Sequence, residues 1–142
     1  MEIIPGHGLW FKGRFANGTV CNYERPFLVI ETTATFIKAL NVSSTKGKEA
    51  KLARPSNKRL RIHFPPFPAP SFVKLDELYI IDMFPELNHA IRDRRTLDPS
   101  VLREIIQFQI DYAQKRIVSE VRLDITELQQ LNPSLFRTKI KP

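Results

Sequence analysis

The chain has 142 residues, 42% hydrophobic and 26% charged, enough apolar surface for one compact core and too much for wholesale disorder. No apolar run approaches the roughly 20 residues of a membrane-spanning helix, and the opening MEIIPGHG lacks the basic and long apolar regions of a secretory signal. The lone Cys21 can form no internal disulfide, so a reduced, cytoplasmic location without a membrane partner is expected. The net charge of +7 is uneven: residues 1–74 hold 12 Lys or Arg against 4 Asp or Glu, and the remaining 68 hold 10 against 11.

Short runs rich in β-branched and aromatic residues, bounded by Gly, Pro, Asn and Ser, predict strands at residues 8–15 (GLWFKGRF), 26–31 (PFLVIE) and 34–42 (ATFIKALNV). Next comes the basic segment KGKEAKLARPSNKRLR, residues 46–61. There Lys46, Lys48, Lys51, Arg54, Lys58, Arg59 and Arg61 face only Glu49. Such a run either binds phosphates, gaining from counterion release, or is a solvated loop that blunts a sheet edge. Further strands are predicted at residues 59–64 (RLRIHF), which alternates polar and apolar, and at 71–81 (SFVKLDELYII). Between them FPPFPAP, residues 64–70, is read as a stiff loop because its prolines lack donors.

Beyond Asp82 the pattern turns helical. FPELNHAIRDRR suggests a short helix with Pro85 in its first turn. LDPSVLREIIQFQIDYAQKRI predicts a long one, capped by Asp98, with Pro99 in the first turn and apolar residues at helical spacing; it is expected on a barrel of the strands or at a dimer interface. Asp124 and Glu127 stand at capping-box spacing and open one more short helix, stopped by Asn132 and Pro133 before a basic tail. Five strands with no helix between them imply a mainly β, α+β fold. The expectation is a small SH3-like antiparallel barrel of about five to seven strands over residues 1–96, with residues 97–142 as a helical extension of the same domain.

The search for site chemistry is mostly negative. His7, His63 and His89 lack metal-ligand spacing, so neither a metal site nor a cofactor is expected. SSTKGK has P-loop residue types in the wrong order, there is no Gly-x-Ser-x-Gly elbow, and Cys21 has no evident histidine partner.

Four segments, in order, carry a resemblance. PGHGLWFKGRF looks like the opening Pro-Gly-Asp-Ile-Trp strand of the MazF/PemK (Kid) toxin endoribonucleases, with His7 in place of the acidic residue. RPFLVIE is similar to that family's Arg-Pro-Ala-Leu-Val-Ile strand, and ALNVSSTKGK to the strand that ends in its Thr or Ser. SFVKLDELYIID is like its Val-x-x-Asp-Gln-x-Arg-Thr-Ile-Asp strand, with Glu77 for Gln and Tyr79 for Arg. The family shares its small barrel with the CcdB gyrase poisons and, more distantly, with ToxN-type toxins. The likeness covers about residues 5–85.

The resemblance implies a toxin of a bacterial or phage toxin-antitoxin system. It would cleave single-stranded RNA without a metal, by attack of the 2′-hydroxyl on the adjacent phosphate, leaving a 2′,3′-cyclic phosphate and a 5′-hydroxyl. A homodimer and a cognate antitoxin, protein or RNA, are implied as partners. By position, Arg25 matches the catalytic arginine and Ser43, with Ser44 beside it, the active-site hydroxyl. Lys74 and Asp76 match the basic and acidic pair of the Kid branch. Arginine suits charge stabilisation, since its planar fork binds phosphate in bidentate fashion, but its pKa of about 12.5 or more makes it a poor base. Proton removal is therefore assigned to Asp76 or a displaced histidine, with Arg25 and Lys74 stabilising charge and Ser43 donating a hydrogen bond. The alternative is the same module without catalysis, bound to nucleic acid or to a protein such as gyrase. Phe64, Phe67 and Phe72 either seal the core or stack bases.

Overall fold

A computed structural model describes residues 2–137. It shows a mixed α+β fold built on one six-stranded sheet: β1 (Gly8–Phe11), β2 (Arg25–Thr32), β3 (Phe36–Ser44), β4 (Asn57–Arg59), β5 (Ser71–Asp82) and β6 (Ser119–Leu123). The strand order is β1-β2-β3-β5-β4, with β6 also paired to β5. All ladders are antiparallel except β5 with β6. Among the described residues no ladder joins β1 to β4 or β6, so the sheet is open by its pairing. Helices α1 (Glu49–Leu52), α2 (Pro99–Lys115) and α3 (Ile125–Leu131) and two 3-10 turns, Pro85–Ala90 and Pro133–Phe136, complete the chain.

Period-two alternation sorts the strand residues onto two apolar faces. Phe11, Phe27, Val29, Ala39, Tyr79 and Val121 share one core with Leu87 of the first 3-10 turn and Leu128 of α3. Phe11 stacks on Phe27 at 4.3 Å, and Phe27 meets Tyr79 edge-on at 4.9 Å. Trp10, Leu28, Leu40, Val42, Val73 and Leu75 point the other way, under Val101 and Ile105 of α2. That helix begins as expected, with the Asp98 carboxylate accepting from the N–H groups of Ser100 and Val101. Asp124 likewise accepts from Glu127 N–H at the start of α3.

Several expectations need correction. β1 ends at Phe11 rather than at residue 15, and the four-residue α1 lies between β3 and β4, where no helix was expected. Residues 59–64 do not form a strand: β4 is Asn57–Arg59, and the polypeptide turns away from Leu60 onward into the proline-rich loop. The alternation in RLRIHF arises from one buried residue, Leu60, followed by exposed turn positions. The C-terminal segment is not purely helical either, since SEVRL forms β6 and lies parallel to β5, placing Val121 and Leu123 in the core. Beyond Arg137 the expected basic tail lies outside the described residues.

Asn132 fixes this segment to the sheet. It is 5% exposed; its Oδ1 accepts from Lys12 N–H at 2.7 Å, and its Nδ2 donates to the carbonyls of Lys12 at 2.8 Å and Leu128 at 3.1 Å. Asn132→Ala strands the backbone groups of Lys12 and is expected to cost about 2–3 kcal/mol. The shift in urea-unfolding midpoint measures it; an unchanged midpoint removes this tie from the account.

Candidate nucleic-acid interface

The first-core side of the sheet changes character toward one end. On β2 the residue before Phe27 on that side is Arg25, and on β3 Asn41 and Ser43 follow Ala39 at the same alternation. Arg25 and Ser43 therefore stand on one face of two adjacent strands. On β5 the ladder to β3 is interrupted: Leu40 pairs with Leu78, whereas Val42 pairs with Val73, so Lys74 to Glu77 loop out of register. The N–H of Leu75 donates instead to the carbonyl of Ser56 at 2.6 Å. This irregularity opens a cleft of about 330 Å³, lined by Phe15, Lys51, Arg54, Asn57, Lys74 and Asp76 among others.

Three of the cations at this end are held by neutral groups. Arg25 Nη1 donates to the Tyr23 hydroxyl at 2.8 Å and Nη2 to Asn41 Oδ1 at 3.2 Å, while the rings of Phe15 and Tyr23 lie 5.2 and 5.6 Å from the guanidinium. Asn41 is itself fixed, fully buried, with Nδ2 donating to the Pro26 carbonyl. Arg25 Nε is buried and has no hydrogen-bond partner among the described residues. Lys48 Nζ donates to Ser43 Oγ at 2.6 Å. The turn that delivers it closes by Lys48 N–H to the Thr45 carbonyl at 3.0 Å and places Gly47 at φ +70°, where a side chain would be strained. Lys74 Nζ lies 5.7 Å from the centre of the Phe15 ring. Among the described residues no carboxylate comes within ion-pair distance of Arg25, Lys48 or Lys74.

Charge crowding follows. Burial, then the Arg25 guanidinium, lowers the pKa of both Lys48 and Lys74, and Lys51 lowers them further; Glu77 offsets this in part at Lys74. Three cations without an ion-pair partner form a surface that gains by accepting an anion. Asp76 lines the cleft beside Lys74 but forms no ion pair with it, so the simple strand-surface pair the two-residue spacing would allow is not formed. Glu77 is occupied, its Oε1 accepting from Ala16 N–H at 3.1 Å.

The basic segment divides. Lys48, Lys51 and Arg54 belong to the site, whereas Lys58 lies over the Phe108 ring at 4.5 Å and Arg61 pairs with Glu104 at 3.3 Å, both against α2. Lys46 and Arg59 are exposed. Ser44 alternates away from Ser43, is exposed, and its Oγ accepts from Lys46 N–H in the turn. None of the histidines lines the cleft. His7 is buried, with Nδ1 accepting from Ile4 N–H and Nε2 bonded to the Arg94 carbonyl, and His63 and His89 bond the carbonyls of Phe67 and Leu135. Phe67 and Phe72 seal the interior, and Phe64 is exposed beneath Arg95. Cys21 is buried and free, and burial raises its thiol pKa against the pull of Arg25 and Lys74. Among the described residues no group of three or more His, Cys, Asp or Glu gathers as a metal site.

Phe15, Tyr23, Asn41 and Asn57 were not anticipated from sequence. Asn41, polar between apolar Leu40 and Val42, carried the one usable signal: a buried amide inside a strand needs partners.

Compared with known proteins, the chain matches no family model and no curated protein.

Because Lys74 is held below its ordinary 10.5 in the fold, the unfolded chain binds that proton more readily. Its charge therefore lowers stability at neutral pH, and the penalty fades as pH rises through the lowered value toward 10.5. Lys74→Met is expected to raise the urea-unfolding midpoint at neutral pH, by a margin that shrinks toward 10.5, while weakening oligonucleotide binding. A variant less stable than the parent at neutral pH contradicts this.

Proposed function

We propose that the protein is a toxin-type endoribonuclease that cleaves single-stranded RNA through attack of the 2′-hydroxyl, giving a 2′,3′-cyclic phosphate and a 5′-hydroxyl. The observation that carries the reading is the placement of Arg25 and Ser43 on one face of adjacent strands, in the charge field of Lys48 and Lys74, with no carboxylate paired to these cations among the described residues. Cations crowded together are relieved by an entering anion, and phosphate is one. The four ordered motifs add the family resemblance, and the open six-stranded sheet is read as a variant of the MazF/PemK barrel. A homodimer, with a cytoplasmic antitoxin of protein or RNA covering the cationic face, belongs to the same reading.

In this scheme Arg25 and Lys74 bind the non-bridging oxygens, whose charge grows in the transition state, and Ser43 donates to one of them. Asp76, free of an ion pair, accepts the 2′-proton. The histidine alternative is set aside because all three rings are engaged elsewhere. Lys51 and Arg54 hold the flanking backbone along the cleft.

Incubation with mixed single-stranded RNA in excess chelator is expected to give fragments with cyclic phosphate ends. Arg25→Ala should slow their formation about 100- to 1,000-fold, and a 2′-deoxy nucleotide at the cut should abolish it. Binding without any fragments identifies a non-catalytic module instead. The salt dependence of binding is expected to flatten by about 0.7 in log–log slope for each of Lys51→Ala and Arg54→Ala. Arg61→Ala, removing a cation paired to Glu104, should leave the slope unchanged.

A further inference from the structure

We propose that Lys48 is the catalytic acid of this reaction, giving a proton from its ammonium to the 5′-oxygen as that oxygen leaves phosphorus. The inference rests on the ribonuclease reading above and names a residue that neither the resemblance nor the motif positions assign to chemistry.

The leaving 5′-oxygen departs as an alkoxide unless a proton reaches it, so a donor able to lose its proton is required. Arg25 cannot serve, since a guanidinium with a pKa of about 12.5 or more keeps its protons. Three lysines border the site. Lys51 is exposed. Lys74 stands two residues from Asp76 on the same strand and on the same side of it. In an in-line displacement the attacking and leaving oxygens lie on opposite sides of phosphorus, so an acid from a different wall than the base is needed. Lys48 comes from the turn between β3 and α1 rather than from β5.

Its placement is fixed by Ser43, which is 5% exposed and accepts from Lys48 Nζ at 2.6 Å. An ammonium has no acceptor capacity, so Ser43 Oγ must be the acceptor of that bond, and its own O–H remains free for a phosphate oxygen. One contact thus aims both donors. Burial and the neighbouring Arg25 ease release of the lysine proton, and no carboxylate among the described residues retains it. The step balances: the 2′-proton passes to the Asp76 carboxylate, the O2′–P bond forms, the P–O5′ bond breaks, and the Lys48 proton joins O5′. Exchange with water then returns Asp76 to carboxylate and Lys48 to ammonium.

The test compares an all-oxygen RNA oligonucleotide with one carrying sulfur as the bridging 5′-atom at the cut, because a thiolate leaves without protonation. Lys48→Ala and Lys48→Arg are expected to slow the oxygen substrate about 100- to 10,000-fold and the sulfur substrate less than about tenfold. Lys48→Arg keeps the charge and a donor for Ser43, so its loss on oxygen alone separates proton transfer from folding or binding. Equal losses on the two substrates, or no loss on oxygen, overturn the assignment. Failure of the unaltered protein to cleave either substrate overturns the ribonuclease reading itself, and this role with it.

Discussion

The structure depends on a concentration of positive charge held in place without carboxylates. Arg25 is fixed by a phenol, an amide oxygen and two aromatic faces, Lys48 by a serine hydroxyl, and Lys74 lies over the face of Phe15. Hydroxyls, amides and ring quadrupoles orient a cation while leaving its charge intact, whereas a carboxylate partner would neutralise it. The lowered pKa values of the two lysines are the signature of that arrangement, and so is the orphaned Nε of Arg25. A fold that holds such a cluster loses stability to like-charge repulsion and recovers it when an anion enters.

The scaffold makes the cluster affordable by surrounding it with rigid packing. The face that carries Arg25 and Ser43 continues directly into the core of Phe11, Phe27 and Tyr79, so the cations stand on strands whose neighbouring side chains are fully buried. The opposite face is closed by α2. The C-terminal segment, expected only as a helical extension, acts here: β6 covers the far half of β5, and Asn132 ties the end of α3 to Lys12 beside β1. Because β4 and β6 occupy different stretches of β5, the residues between them are unpaired on that side. Asp76 lies in that gap and Lys74, paired with Asn57, at its edge, both in the stretch out of register with β3.

Elements whose local pattern agreed with their final environment were legible. The strand through RPFLVIE, the long strand from Ser71 and the helix behind Asp98 all read correctly, because alternation, apolar spacing and capping agreed at each. β4 was misplaced because three polar–apolar steps in RLRIHF imitate a strand, while the true pairing of Asn57, Lys58 and Arg59 is dictated by register with β5. β6 was missed because a five-residue edge strand with three exposed side chains has little hydrophobic signal of its own. At the site, residues 25 and 43 were brought together by the family resemblance alone, and it is the observed strand order and alternation that put them on one face. The division of the basic segment did not, since it depends on which cations α2 withdraws, and no local feature separates Lys51 from Lys58.

A surface made only of donors binds phosphate, but it cannot cleave one, because removing the 2′-proton requires an acceptor. Two carboxylates line the cleft, Asp76 and Glu77, and the β1–β2 connection engages the second through Ala16 N–H. In the proposed scheme Asp76 therefore remains as the acceptor, placed in the stretch of β5 that leaves the ladder with β3. On the proposed reading, this asymmetry separates a nuclease from a binding module on the same sheet. On that reading the cations alone would account for affinity and salt dependence, and one unengaged carboxylate together with a lysine that can release its proton would add the chemistry.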